Sequence, residues 1–233
     1  HMVTNSEKMV TELENPYILI TDKKIGNTQE ILPLLEKVAQ SANKQLLIIS
    51  AGLEGDVLAT LVLNKMRNIL LAVAVNAPSF GERREDILSD MAVLTKTEVI
   101  SDKTGTKFSD VTLESLGSAR KALITREHTT LIDGAGESEA VERRVKEVKA
   151  ILKQVKTNLE LEHAQERLAK LTGGVAVLMI GAATETEMKE KKQRIEDAVN
   201  ATKAAVEEGI IAGGGTALIR AADTLNSKGY PEL

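Results

Sequence analysis

Three short apolar runs, residues 17–21 (YILIT), Gln45–Ser50 (QLLIIS) and residues 70–76 (LLAVAVN), are separated by two segments of helix length. That alternation limits the fold more than any other feature of the chain. Runs with so few polar residues suit strands covered on both faces, and such strands are parallel and need crossover helices between them. The intervening segments supply them. Asn27 suits an N-cap, with Glu30 three residues on as a capping-box partner, for a helix reaching about Gln40; residues 56–67 read as a second helix. The expected fold class is α/β: a layered β/α body around a parallel βαβαβ unit, with flanking helices, a helical hairpin and a helical arm.

Downstream, residues 77–84 (APSFGERR) read as a loop, residues 85–94 as a helix and residues 98–100 as a short strand. Residues 118–126 and 129–132 read as two strands closed by an Asp133-Gly134 turn. Residues 137–155 and 158–171 form an expected antiparallel helix pair whose dense, alternating charges leave one face in water. Gly173-Gly174 breaks the chain, residues 175–180 (VAVLMI) read as a strand, and Glu185–Glu208 as one long charged helix. Gly213-Gly214-Gly215 ends it, and residues 216–225 resume as a helix.

Composition narrows the function classes. Hydrophobic residues make up 42% of the chain but aromatic ones only 2%, so the core is aliphatic and rings on which bases stack are scarce. The net charge is −4, with acids and bases interspersed and no basic stripe of the kind that follows a phosphate backbone. Cysteine is absent, which excludes disulfides and thiolate metal sites. The apolar runs are too short to span a bilayer. Neither nucleic acid nor a membrane is an expected partner. His1-Met2 reads as a cloning scar, and the chain as a piece excised from a longer one.

Two helices carry more apolar surface than a sheet can cover. In the first, Ile31, Leu34, Leu35, Val38 and Ala39 form a stripe that Leu32 widens to roughly 160° of arc, more than a core-facing helix needs. In the second, Val57, Leu58, Ala59, Leu61, Val62, Leu63 and Met66 cover about two thirds of the circumference at 3.6 residues per turn. Either both helices are central and fully buried, or the surplus is an exposed patch that takes a partner by apolar burial. Other signals are weaker. Gly213-Gly214-Gly215 precedes a helix, as phosphate-binding glycines do, but no Lys-Ser/Thr follows, and a tight turn explains it equally. Asp197 in a charged helix reads as a solvated acid. His128 and His163 have no second ligand at metal spacing.

Several segments resemble the group I (GroEL-type) chaperonins: residues 31–35 (ILPLL), 54–66 (EGDVLATLVLNKM), 77–84 (APSFGERR), 129–136 (TTLIDGAG), 166–177 (ERLAKLTGGVAV) and, most closely, 181–220, with GAATETEMKEKKQRIEDAV and EEGIIAGGGTALIR. They occur in family order and spacing from Glu12 to about Leu225. The resemblance implies an apical polypeptide-binding domain over residues 3–172, an intermediate-domain segment over 173–208 and part of an equatorial ATPase domain over 209–233. It implies capture of non-native polypeptides and of the mobile loop of a GroES-type co-chaperonin by Leu32 and Leu35 on the first helix and Leu58, Val62, Leu63 and Asn64 on the second. It further implies a hinge at Gly173 and Gly174, an inter-subunit role for Glu185, a catalytic role for Asp197 and a nucleotide contact at Gly214. ATP and Mg2+ are the implied cofactors, a double ring of copies the implied assembly, and the bacterial cytoplasm the implied compartment, with the mitochondrial matrix or plastid stroma as alternatives. The family's Asp-Gly-Thr-Thr-type phosphate loop has no counterpart in this sequence, so the chain alone is expected to bind no nucleotide and to be inactive as an ATPase. The alternative function is a stand-alone small α/β nucleotide-binding enzyme.

Overall fold

The computed structural model describes residues 2–4, 9–155, 157–173, 178 and 180–227. They fall into two compact units, His1–Val175 and Ala176–Leu233. The first contains β1 (Thr11–Glu14), β2 (Tyr17–Ile20), β3 (Lys24–Ile25), α1 (Thr28–Gln40), β4 (Gln45–Ser50), β5 (Gly52–Leu53), α2 (Gly55–Met66), β6 (Leu71–Asn76), α3 (Gly81–Thr95), a 3-10 turn (Phe108–Asp110), β7 (Gly117–Ile124), β8 (Thr129–Gly134), α4 (Ser138–Leu152) and α5 (Asn158–Thr172). The second contains α6 (Glu185–Glu208) and α7 (Thr216–Ser227).

The βαβαβ unit forms as its pattern dictates. β2, β4 and β6 are parallel neighbours, with Leu19 opposite Ile48 and Ile48 opposite Ala74. Because side chains alternate along a strand, β4 serves two cores. Leu46 and Ile48 pack with Ile31, Leu34 and Val38 of α1 and Val57 and Leu61 of α2; Leu47 and Ile49 pack on the other face with Leu88 and Ala92 of α3. β1 and β2 act as one long strand bent at Asn15, whose φ is 50°. The antiparallel register against β7 continues across the bend, from Thr11 opposite Ile124, through Glu14 opposite Lys121, to Ile18 opposite Gly117. β8 flanks β7 on its other side, and β3 with β5 forms a separate two-stranded ladder.

α1 starts where Asn27 accepts a 2.9 Å hydrogen bond from the Gln29 backbone N–H. Lys37 donates to the carbonyls of Ser109 and Val111 at 3.1 and 2.7 Å, which ties the 3-10 turn against the helix. α2 stops in a Schellman arrangement: Asn68 takes φ 53°, its N–H reaches Lys65 O, and the Ile69 N–H reaches Asn64 O, each at 3.0 Å.

Several expectations are corrected. Asp133-Gly134 is the end of β8 and not a turn. The hairpin reverses at residues 125–128, where the Thr125 N–H donates to His128 O at 2.8 Å and the Thr125 hydroxyl accepts from the His128 N–H at 3.0 Å. Gly134 and Gly136 are required by closeness: a Cβ on either would overlap backbone carbonyl oxygens at the end of α3, Leu94 O for Gly134 and Val93 O for Gly136. α3 begins at Gly81, four residues earlier than the period suggested. The expected strand at 98–100 reduces to one bridge, Thr21 to Ile100, reinforced by a 2.6 Å bond from the Thr21 hydroxyl to Ile100 O. The expected strand over 175–180 falls mostly outside the described residues.

The expected helix pair is α4 and α5, and it docks through ions as well as apolar contacts. Arg167 of α5 grips Asp90 of α3 with Nε and Nη2 at 2.6 and 3.1 Å and reaches Asp86 with Nη1 at 2.6 Å. Arg144 of α4 donates to the same Asp90 at 2.6 Å. Asp90 and Arg167 are each only 6% exposed, so one buried carboxylate holds three helices together.

Candidate functional site

α1 and α2 lie side by side on one face of the sheet and touch through the Thr28 and Thr60 hydroxyls, 3.4 Å apart. The Thr28 hydroxyl is also 3.4 Å from the Asp56 carboxylate. Both helices are anchored from beneath by fully buried residues, Ile31, Leu34 and Val38 on α1 and Val57 and Leu61 on α2. On the outside, α1 exposes Leu32 among the polar Gln29, Glu30, Glu36 and Gln40, while the exposed positions of α2 beyond Asp56 are mostly apolar. Leu32 is 40% exposed, Leu58 42%, Leu63 50% and Met66 74%. Val62 is half-buried between them.

The spacing on α2 explains the continuity of this strip. At about 100° per residue from Leu58, Val62 lies near 40°, Met66 near 80°, Ala59 near 100° and Leu63 near 140°, so all five share one arc while Val57 and Leu61 point the opposite way. Ile69, exposed just beyond the Schellman stop, extends the strip past the helix end. Asn64 is half-buried and donates from Nδ2 to Thr60 O at 2.9 Å, the turn that meets α1.

Leu35 does not belong to this surface. It is 3% exposed and packs in the core with Leu34 and Val38, because it sits about 40° round the helix from Ile31, inside the arc that faces the sheet. The surface of α1 is carried by Leu32, about 100° away from Ile31. Met66 and Ile69 are the additions. Met66 was legible, since it falls in the middle of the α2 arc; Ile69 was not, because its position depends on the Asn68 reversal.

A cleft of about 620 Å3 flanks the start of α1, lined among others by Lys23, Glu30, Pro33, Asp102 and Phe108. Its walls are charged, with Lys23 paired to Asp102 at 2.7 Å. Chemically it is unlike the leucine strip, and it holds none of the expected site residues.

The remaining candidates lie at the end of α5 or in the second unit. Gly173 closes α5, its N–H 2.7 Å from Ala169 O and the place of its missing Cβ 2.6 Å from that same oxygen. Glycine is needed there for close approach; its φ is −83°. Gly174 lies outside the described residues. Glu185 opens α6 and pairs with Lys189 at 2.6 Å, and the hydrogen bond and charge of Lys189 hold its carboxyl below the usual range. Asp197 is exposed midway along α6. Gly214 and Gly215 take φ values of 64° and 78° in the turn before α7, a conformation that accounts for consecutive glycines. Among the described residues, no three acids or histidines are grouped to hold a metal ion.

The model of the TCP-1/cpn60 chaperonin family matches residues 2–230. The chain belongs to the TCP-1/cpn60 chaperonin family. Membership makes it a molecular chaperone, of a family whose members fold polypeptides in ATP-dependent ring assemblies. Membership disfavours the stand-alone nucleotide-binding enzyme. Among the described residues, no helix is long and apolar enough to cross a membrane.

Proposed function

We propose that the α1–α2 face captures non-native polypeptides, and that the mobile loop of a GroES-type co-chaperonin competes for the same strip. The observation that carries this reading is the exposure of Leu32, Leu58, Leu63 and Met66 on two adjacent helices whose opposite sides are locked into the core. A core-anchored platform with an apolar strip on its outer face binds by burial, which is non-directional and suits clients that share no sequence. Covering roughly 300 Å2 of it is worth on the order of 7 kcal/mol before ordering costs, enough for reversible capture.

In the assembled ring, residues 3–172 form the apical domain, 173–208 the intermediate segment, with its hinge at Gly173 and Gly174, and 209–233 part of the equatorial domain. Glu185 trades Lys189 for a neighbouring subunit. Asp197 and Gly214 join an ATP and Mg2+ site completed by a phosphate-gripping loop from other residues. The compartment that goes with this reading is the bacterial cytoplasm.

The test is aggregation of a chemically denatured client followed by light scattering. The chain is expected to suppress it, and the double substitution Leu58→Glu with Leu63→Glu to abolish suppression while the circular dichroism spectrum stays unchanged. Undiminished suppression by a folded double variant refutes the assignment of this face.

A further inference from the structure

The capture strip ends on α2 in a thioether. Met66 is 74% exposed and shares the α2 arc with Val62 and Leu63, so a partner that follows the strip to the end of α2 covers it. Met91 is partly buried against the second core, as is Met2, and Met188 is half-buried on α6. Met9 is 65% exposed but lies ahead of β1, outside the α1–α2 face.

We propose that Met66 is an oxidation site through which peroxide turns polypeptide capture down. This inference rests on the capture reading and adds its regulation. The sulfur lone pair attacks one oxygen of hydrogen peroxide; an S–O bond forms as the O–O bond breaks. The displaced hydroxide takes the proton of the transferred oxygen and leaves as water. Sulfur is oxidised by two electrons and the peroxide is reduced by two. The product, a sulfoxide, is polar and chiral where the strip needs an adaptable apolar chain; a methionine sulfoxide reductase returns it to the thioether, the oxygen leaving as water while two thiols are oxidised to a disulfide. Exposure makes the reaction cheap for the fold: the Met66 side chain belongs to neither buried cluster, so its conversion alters the face and not the core.

The experiment treats the chain with hydrogen peroxide, removes the oxidant with catalase, and reads two quantities. Peptide mass spectrometry gives the sulfoxide fraction at each methionine, and client aggregation gives the chain concentration needed for half-suppression. Met66 is expected to convert well before Met91, and the half-suppression concentration to rise about threefold or more as a polar group replaces an apolar one on the strip. Met66→Leu should show the same value before and after peroxide, whatever that value is, while Met9→Leu should lose capture as the parent does. Met66→Gln should bind weakly without any oxidant. Full conversion of Met66 with unchanged capture overturns the inference and leaves the capture reading standing, as does an equal loss in Met66→Leu. Absence of capture in the untreated parent overturns both, and is seen before peroxide is added.

Discussion

Replacing Asp90 by alanine removes the acceptor at the centre of the α3–α4–α5 junction. Three donors lose their partner: Nε and Nη2 of Arg167, and Nε of Arg144. Arg144 keeps Glu147 at 2.9 Å and is the more exposed of the two arginines. Its guanidinium is desolvated, yet the hydrogen bonds of Asp90 and Glu147 hold its pKa above the usual range. Arg167 fares worse. Its side chain is 7% exposed and retains only Asp86, so a buried cation is left half-compensated. Breaking a buried pair from one side costs about 3–5 kcal/mol, a large share of the roughly 5–15 kcal/mol that holds a domain together. At about 2–4 °C per kcal/mol for a unit of this size, the melting temperature falls by roughly 6–20 °C. Thermal unfolding followed by circular dichroism at neutral pH measures it. The double variant Asp90→Ala with Arg167→Met is expected to melt above the single Asp90→Ala, since removing the stranded cation removes the penalty. A loss under about 1 kcal/mol in Asp90→Ala, below the range for a broken buried pair, refutes the reasoning. So does strict additivity in the double variant.

Leu35→Ala should cost about 2–5 kcal/mol in chemical unfolding, as core truncations do, while Leu32→Ala three residues away should cost under about 0.5 kcal/mol; similar losses for both would mean that the assigned inward and outward positions on α1 are wrong. Gly136→Ala should destabilise by about 2 kcal/mol or more, because its Cβ has no room beside the Val93 and Leu94 carbonyls, with melting temperature as the readout. Glu166 joins α5 to α3 through Arg83 at 2.9 Å; its hydrogen bond to Lys170, opposed by some desolvation and helped by Arg83, holds its carboxyl below the usual glutamate range. A depressed folded-state pKa contributes stability that is complete above the unfolded-state value and is lost as pH falls through the folded-state one. The melting-temperature gap between the parent and Glu166→Gln should therefore persist at neutral pH and close below about pH 4; a gap that widens in acid would contradict this.

Much of the architecture was legible because the strands are apolar on both faces and the helices have strong starts. Asn27 marks the beginning of α1 and Glu185–Glu208 is a single helix, as expected. The hairpin was misplaced because Arg126-Glu127 has no turn signature of its own; Thr125 closes the reversal with its side chain, and Asp133-Gly134 looks like a turn only because Gly134 must let Leu94 approach. The candidate face was legible as surplus grease, not as a surface. Periodicity gave the arc on α2 and placed Leu35 in the main α1 stripe with Ile31 and Leu34; its binding role came from the family resemblance alone, and the sheet covers it.

The sequence by itself determined the order of strands and helices, the family, and the two helices on which apolar residues exceed what one sheet can hide, since all of these are written in local spacing and residue type. Only the tertiary structure decided that Leu32, Leu58, Leu63 and Met66 stay in contact with water, that Leu35 does not, and that Asp90 joins two arginines 54 and 77 residues away. Exposure and ion pairing depend on what the chain brings alongside a residue from far away, and helical or strand spacing carries no record of that.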